Sequence, residues 1–362
     1  MLCFHLSIVS VAGCPATRNK RKGCENLRTI APLPCIPNVF YIHYNQNNMN
    51  EKTKLSTEPY KGVRDFYPED MAIQNYIFGV WKKIAEKFNY QEYTASLLEP
   101  AELYRTKTSE EIVNDQMFTF VDRGDREVAL RPEMTPSLAR MVAAKRKSLK
   151  FPIRWFSIPN VFRYEKPQRG RKREHWQLNC DVMGIAGVDA EVEIISLAHS
   201  IMKEFGANDG DFEIRVNSRK LLQEIIGGKL INQDSFLDAL RLLDKIEKIS
   251  KEEFDKEWSL LSNEPFDRNR KASKEIEEII SKSKLPNIVY DPVLTRGFDY
   301  YTGMVFEVFD TSPENNRSLF GGGRYDNLLE IFGVEPVPTV GFGMGDVTIR
   351  DFLETHKLGP YA

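Results

Sequence analysis

The sequence predicts an α+β protein: an antiparallel sheet flanked by helices and interrupted by an inserted helical domain. Three observations carry this. Strand-like segments cluster before and after one helical block instead of alternating with helices, as a doubly wound parallel fold requires. Neither glycine cradle for phosphate is present, since no GxxxxGK[ST] and no GxGxxG after a strand occurs. The length of 362 residues fits one large domain plus a smaller one inserted or appended.

The elements follow in order. Residues 1–48 carry Arg18, Lys20, Arg21, Lys22 and Arg28 against the single acid Glu25, without a sustained hydrophobic period. This composition is shared by transit peptides, by disordered tails and by upstream sequence translated ahead of a start at Met49; the last two are preferred. Ile73, Ile77, Trp81, Ile84 and Phe88 recur at three- and four-residue steps after Pro68, Glu69 and Asp70, which predicts a long amphipathic helix with its start signals. Short apolar or alternating segments at 116–122, 127–131, 154–163 and 177–184, separated by glycine and charged turns, suit antiparallel strands. Residues 189–205 read as a helix and 218–284 as a helical block, with Leu221, Leu222, Ile225, Ile226, Leu237, Leu240, Leu243 and Ile246 as its apolar spacing. Strand character returns at 287–294, 304–309 and 339–344.

Composition narrows the function classes. Hydrophobic residues make up 41% and charged residues 28%, the net charge is -2, and no apolar run approaches the roughly 18–20 residues of a membrane span. Near-neutral charge argues against coating of nucleic acid, but a local basic patch still grips a phosphate backbone, because charge placement decides. Cys3, Cys14, Cys24 and Cys35 precede residue 48 and Cys180 lies in the body. Their spacing suits neither a disulfide framework nor zinc, so a reducing compartment and no resident metal are expected.

The basic patch is found in FRYEKPQRGRKREHWQLNCDVMG, residues 162–184. Arg163, Lys166, Arg169, Arg171, Lys172 and Arg173 surround the turn-formers Pro167 and Gly170. Guanidinium forks match phosphate oxygens. A charge run alone also describes a solvated hairpin tip, but Arg163 lies beside Val161 and Phe162 in a flanking strand, where a buried cation requires an anion.

These residues, with LRPEMTPSLAR (130–140), TRGFDYYTGMVFE (295–307) and FGGGRYD (320–326), resemble the diagnostic segments of histidyl-tRNA synthetases, within the class II aminoacyl-tRNA synthetases. KGVRDFYPED (61–70) is similar to the family's opening, and Glu99 and Pro100 fall near the end of its dimer-forming motif 1. The resemblance covers about residues 61–358 and implies a class II synthetase-type sheet that activates L-histidine with ATP and Mg2+ and passes it to tRNA. By it, Arg163 holds the α-phosphate and Arg296 faces it as the second catalytic cation. Glu165, Arg171, Arg173 and His175 join Arg163 at ATP; Glu133, Thr135, Gln177, Asp181, Tyr300 and Tyr301 join Arg296 around histidine; Gln168 and Arg169 approach the acceptor end of tRNA. Tyr300 and Tyr301 alternate on a strand, so one of them is open to a purely structural role.

Three departures from the family pattern stand out. Asp181 occupies a position where relatives commonly carry Glu, His175 one where they often carry Phe, and Thr348 in GFGMGDVTIR (341–350) takes the place of the arginine of motif 3. Arg350, two positions on, shares its direction only if this stretch is a strand. Arg324 or another cation is therefore expected to compensate. The implied domain map is a disordered or mistranslated extension at 1–48, catalytic parts at 49–217 and 287–358, a helical insertion at 218–286 and an absent anticodon-binding domain. A homodimer through motif 1 and a cytoplasmic location are expected. Two other readings share the fold: a histidine-binding regulator of ATP phosphoribosyltransferase, and a protein-binding module on a retired synthetase. Neither requires the phosphate-gripping arginines.

Overall fold

The computed structural model describes residues 55–105, 112–232, 235–246, 249–296, 300–315 and 317–362. The expectations for 1–48, four of the five cysteines and Gly297 to Asp299 of the RGFDYYTG string lie outside them. The chain begins with α1 (Pro68–Lys87), β1 (Gln91–Glu92), β2 (Leu98–Pro100), α2 (Glu102–Arg105), β3 (Phe118–Val121), β4 (Glu127–Leu130), α3 (Thr135–Lys145), β5 (Ile153–Ser157), β6 (Asn160–Phe162) and β7 (Glu174–Met183). It continues through α4 (Asp189–Glu204), β8 (Phe212–Ser218), α5 (Arg219–Gly227), α6 (Phe236–Asp244), α7 (Lys251–Leu261), α8 (Lys274–Ser283), β9 (Ile288–Tyr290), β10 (Met304–Asp310), β11 (Ser318–Arg324), β12 (Thr339–Gly345) and α9 (Asp346–His356).

The large sheet runs β1-β5-β7-β12-β11-β10-β8-β9, with β6 paired to β7. Its central pairings are antiparallel, as expected. The outermost ones, β1 with β5 and β8 with β9, are parallel, an addition at the edges to the expected antiparallel sheet. The reason is connection length: parallel neighbours need a long crossover, and residues 219–287 provide one between β8 and β9. The segments 116–122 and 127–131 form strands, but in a separate sheet ordered β2-β4-β3.

Side-chain alternation divides the large sheet into a dry face and a wet one. On β7, Leu178, Cys180 and Val182 enter the principal core, as do Val340, Phe342 and Met344 on β12 and Met304, Phe306 and Val308 on β10. Helices cover that face with Ile77, Trp81 and Ile84 of α1, Ile194, Ala198 and Ile201 of α4 and Ile349 and Phe352 of α9. Trp81 is fully buried, and its indole N–H donates to Met344 Sδ at 3.0 Å. α1 starts as the sequence indicates, with proline in its first positions and Glu69 and Asp70 in its first turn, where carboxylates favour the helix dipole.

The helical block has its own core from α5 to α7, including Leu222, Ile226, Leu240, Leu243, Phe254 and Trp258. α8 does not share it. Ile276 and Ile279 of α8 enter the principal core, so the separately packed block is narrower than 218–286.

Candidate active site

The opposite face of the sheet is the floor of a cleft of about 1210 Å³. The residues of β7 between its core positions, Gln177, Asn179 and Asp181, line this cleft. Their neighbours on β12 are glycines: Asp181 pairs with Gly341 and Asn179 with Gly343. A Cβ at Gly341 would collide with Asp181 Oδ1, and one at Gly343 with Gln177 Nε2. The glycines thus leave room for the β7 side chains to lie across the neighbouring strand.

One end of the cleft is an acidic pocket walled by tyrosines. Tyr300 donates to Glu133 Oε2 at 3.2 Å, and its ring lies 4.9 Å from that of Tyr301 and 5.4 Å from that of Tyr325. Both Tyr300 and Tyr301 line the cleft, so the strand alternation that would have turned one away does not operate here. The Tyr325 hydroxyl donates to Asp181 Oδ1. Burial pushes the Asp181 carboxyl up to about 7, against the opposing pull of that hydrogen bond. Thr135 lies on the same wall, at the start of α3. The preceding segment is fixed by Arg131, which donates to the carbonyls of Asn160 and Ala95 at 2.8 Å each.

The middle of the cleft carries cations. Arg163 Nε donates to the Pro132 carbonyl at 2.9 Å. Arg296 also lines the cleft and pairs with Glu307 at 2.6 Å. Burial opposes its charge, but Glu307 and the tyrosines at 301 and 300 outweigh it and raise its pKa above the ordinary arginine value. His175 is neutral, because burial first and then Arg163 and Arg64 lower its pKa to about 3. Glu165 Oε2 is buried without a hydrogen-bond partner among the described residues, and Arg171 stands 3.6 Å from it. Gln168 and Arg169 line the cleft from the tip of the hairpin, where Gly170 adopts φ 74°, a left-handed conformation suited to glycine.

Two expected ATP contacts are corrected. Arg173 does not line the cleft; only 8% exposed, it lies 3.7 Å over the Tyr164 ring and donates to Tyr60 Oη at 2.9 Å, pinning the hairpin to the segment before α1. Arg324 is buried behind the sheet face, where Glu191 accepts from it at 2.7 Å and Asp326 at 3.1 Å. The stretch after Gly345 is helical, so Arg350 turns away and pairs with Asp70 at 2.7 Å. Sequence reasoning missed Asn179, Glu307, Arg317 and Tyr325. Two-residue alternation along 177–181 pointed to the first, while the pairing partners become visible only through the fold.

A sheet whose open face carries arginines in place of a glycine cradle, beside an acidic, tyrosine-walled pocket, is the body of a class II aminoacyl-tRNA synthetase. The family model for histidyl-tRNA synthetase matches residues 62–346. The histidine–tRNA ligase of Leptospira biflexa is 46% identical over 336 residues, 86% of this chain and 77% of its own length. The chloroplastic/mitochondrial histidine–tRNA ligase of Arabidopsis thaliana is 39% identical over 85% of this chain and 68% of its own. Among solved structures, a histidine–tRNA ligase subunit from Alicyclobacillus acidocaldarius superposes with TM-score 0.68 at 25% identity, covering 84% of this chain and 98% of that one. The chain belongs to the histidyl-tRNA synthetase family. Its function is that of a histidine–tRNA ligase, an aminoacyl-tRNA ligase. A Bacillus halodurans structure titled as an ATP phosphoribosyltransferase regulatory subunit/histidyl-tRNA synthetase, at 21% identity and TM-score 0.65, covers 82% of this chain and 84% of that one; at that identity it speaks to the fold alone.

Proposed function

We propose that Arg163 and Arg296 flank the α-phosphate of ATP while a carboxylate oxygen of histidine attacks it. A phosphorus–oxygen bond forms, the bond to the bridging oxygen breaks, and pyrophosphate leaves with the electron pair. The observation that carries this reading is the presence of both guanidiniums in one cleft with the acidic pocket beside them. Charge grows on the phosphoryl oxygens in the transition state, and fixed cations in a site screened from water stabilise it most. Glu165, whose buried Oε2 makes no hydrogen bond with the described residues, accepts from the adenine amine. Neutral His175 stacks against the base, and Arg171 attends the phosphates. Mg2+ enters as part of the nucleotide, since no group of three or more metal-ligating side chains occurs among the described residues and this ion keeps phosphate and water ligands.

Glu133 and Thr135 receive the histidine ammonium, Gln177 and Asp181 the imidazole, with Tyr300 and Tyr301 as walls. In the second step a terminal ribose hydroxyl of tRNA attacks the adenylate carbonyl and AMP leaves. Gln168 and Arg169 guide the acceptor end, and the α5–α7 block holds the stem. A cytoplasmic location accords with the supply of charged tRNA to translation. Histidine-dependent exchange of pyrophosphate into ATP tests the reading: exchange is expected with histidine and no other amino acid, and histidine binding without exchange would leave only a sensor.

The raised Asp181 pKa gives a pH dependence. The ionised carboxylate accepts an imidazole N–H, so histidine binds best above pH 7 and weakens below it. Between pH 8 and 6 the ionised fraction falls about tenfold, and KM for histidine rises correspondingly. In Asp181→Asn only the titration of free histidine remains; an unchanged pH profile in that variant removes Asp181 from imidazole binding. The sign for stability is opposite to that of a salt-bridged Asp: the folded pKa lies above the ordinary one of 3.8, so this group lowers stability as pH rises from about 4 to about 7.

A homodimer through motif 1 is part of the same reading. The small sheet and its approach expose Leu97, Leu98, Phe120 and Val121, at 37%, 41%, 49% and 63%, an apolar patch of the kind that marks a partner. Phe120→Glu with Val121→Glu is expected to shift sedimentation from dimer to monomer, and an unaltered dimer rules this surface out.

A further inference from the structure

The end of the cleft formed by the start of α9 carries Thr348, whose hydroxyl donates to the Leu319 carbonyl at 2.7 Å and which offers no cation to the triphosphate that the proposed function seats in this cleft. The obvious substitutes are engaged elsewhere: Arg350 by Asp70 and Arg324 by Glu191. Arg215, farther along the cleft, is held by Glu213 at 2.7 Å and lies 4.3 Å over the Phe309 ring.

Arg317 is different. It lines the cleft two residues before Leu319, on the approach to β11. Its guanidinium makes no hydrogen bond with any described residue and sits against Gly170, where a Cβ would strike its Nη1. Asp351 holds it at 3.7 Å and Arg169 at 3.9 Å, both longer than hydrogen bonds. Asp351 lies one turn beyond Thr348 on α9 and so shares its face. Its Oδ2 is buried without a hydrogen-bond partner among the described residues. Burial pushes the Asp351 carboxyl up, and Arg169, Arg317 and Lys172 pull against that. A single carboxylate thus gathers cations from the hairpin and from β11 without occupying their donors.

We propose that Arg317 binds the terminal phosphates of ATP and the pyrophosphate product, taking over from the adjacent strand what position 348 does not supply, and that Asp351 is its positioning residue. The inference rests on the cleft being the ATP site. A guanidinium fork has its N–H donors directed outward for anionic oxygens, and Arg317, with a side chain 30% exposed, retains access to a ligand. The seat on Gly170 also ties the tail's cation to the hairpin that carries Arg171.

The test compares ATP with AMP, which lacks the terminal phosphates, by calorimetry on the full chain, alongside pyrophosphate exchange. Arg317→Ala is expected to weaken ATP by about 10–100-fold, as for loss of a charge-assisted pair, and to raise KM for pyrophosphate while leaving AMP and histidine unchanged. Asp351→Asn shifts the same parameters less, and Arg317→Ala with Thr348→Arg recovers part of the loss. Arg317→Lys gives an intermediate value and carries the test if the alanine variant does not fold. Equal weakening of ATP and AMP, or no weakening of either, overturns the proposal. Arg163→Ala separates it from its foundation: if that variant retains full ATP binding and exchange, the cleft is not the ATP site, whereas a loss there with none in Arg317→Ala rejects Arg317 alone.

Discussion

Arg296→Ala is expected to reduce the rate of histidine-dependent pyrophosphate exchange by about 10²–10³-fold, the effect of removing one pre-placed donor from a developing oxyanion. Two physical effects contribute. The transition state loses a cation in a site with little water to replace it, and Glu307, paired with Arg296 at 2.6 Å, is left as an uncompensated carboxylate. Arg296→Lys restores the charge but not the fork, so it should recover only part of the rate. The double variant Arg296→Ala with Glu307→Gln removes the stranded charge; recovery of stability without recovery of exchange assigns the rate loss to the missing guanidinium. Exchange near the parental rate in a folded Arg296→Ala protein would remove this residue from the chemistry.

Arg324→Ala is expected to act on stability instead. Arg324 and Glu191 are 5% and 0% exposed, and removal of one partner from a buried pair costs about 3–5 kcal/mol because the other charge is stranded. A large fall in the denaturant midpoint, with ATP KM unchanged in the protein that remains folded, is the predicted outcome. Parental stability with a raised KM would return Arg324 to the nucleotide. Arg324→Met with Glu191→Leu, which replaces both charges with apolar groups, should regain much of the loss.

The contrast between these arginines explains what the sequence made legible. Periodic elements were readable because one face of each is apolar: α1, α4 and strands β7, β10 and β12 fall close to their expected positions. Most of the proposed site was readable too, since Glu133, Asp181, Arg163 and Arg296 all line one cleft. β11 was not read as a strand, because SLFGGGR places glycines where strand formers are expected. α9 follows Gly345 directly without a side-chain cap, so the orientation of Arg350 could not be decided. An arginine's role depends on the face it leaves from and on the group that meets it. Arg173 meets the Tyr164 ring within its own hairpin segment and Arg324 meets Glu191 on α4, pairings that residue spacing alone does not show.

The glycines of β12 have a consequence for selectivity. Where a pocket is carved by bulky walls, enlarging one residue shrinks it locally. Here Gly341 and Gly343 give Asp181 and Gln177 the space they occupy, so the groups proposed to recognise the imidazole rest on bare backbone. Backbone cannot be exchanged for another shape by point substitution, and each added carbon displaces a recognition group rather than trimming the cavity. Retargeting this enzyme to a different amino acid therefore demands concerted changes on neighbouring strands, and single mutations toward a new substrate should mostly abolish the old one first.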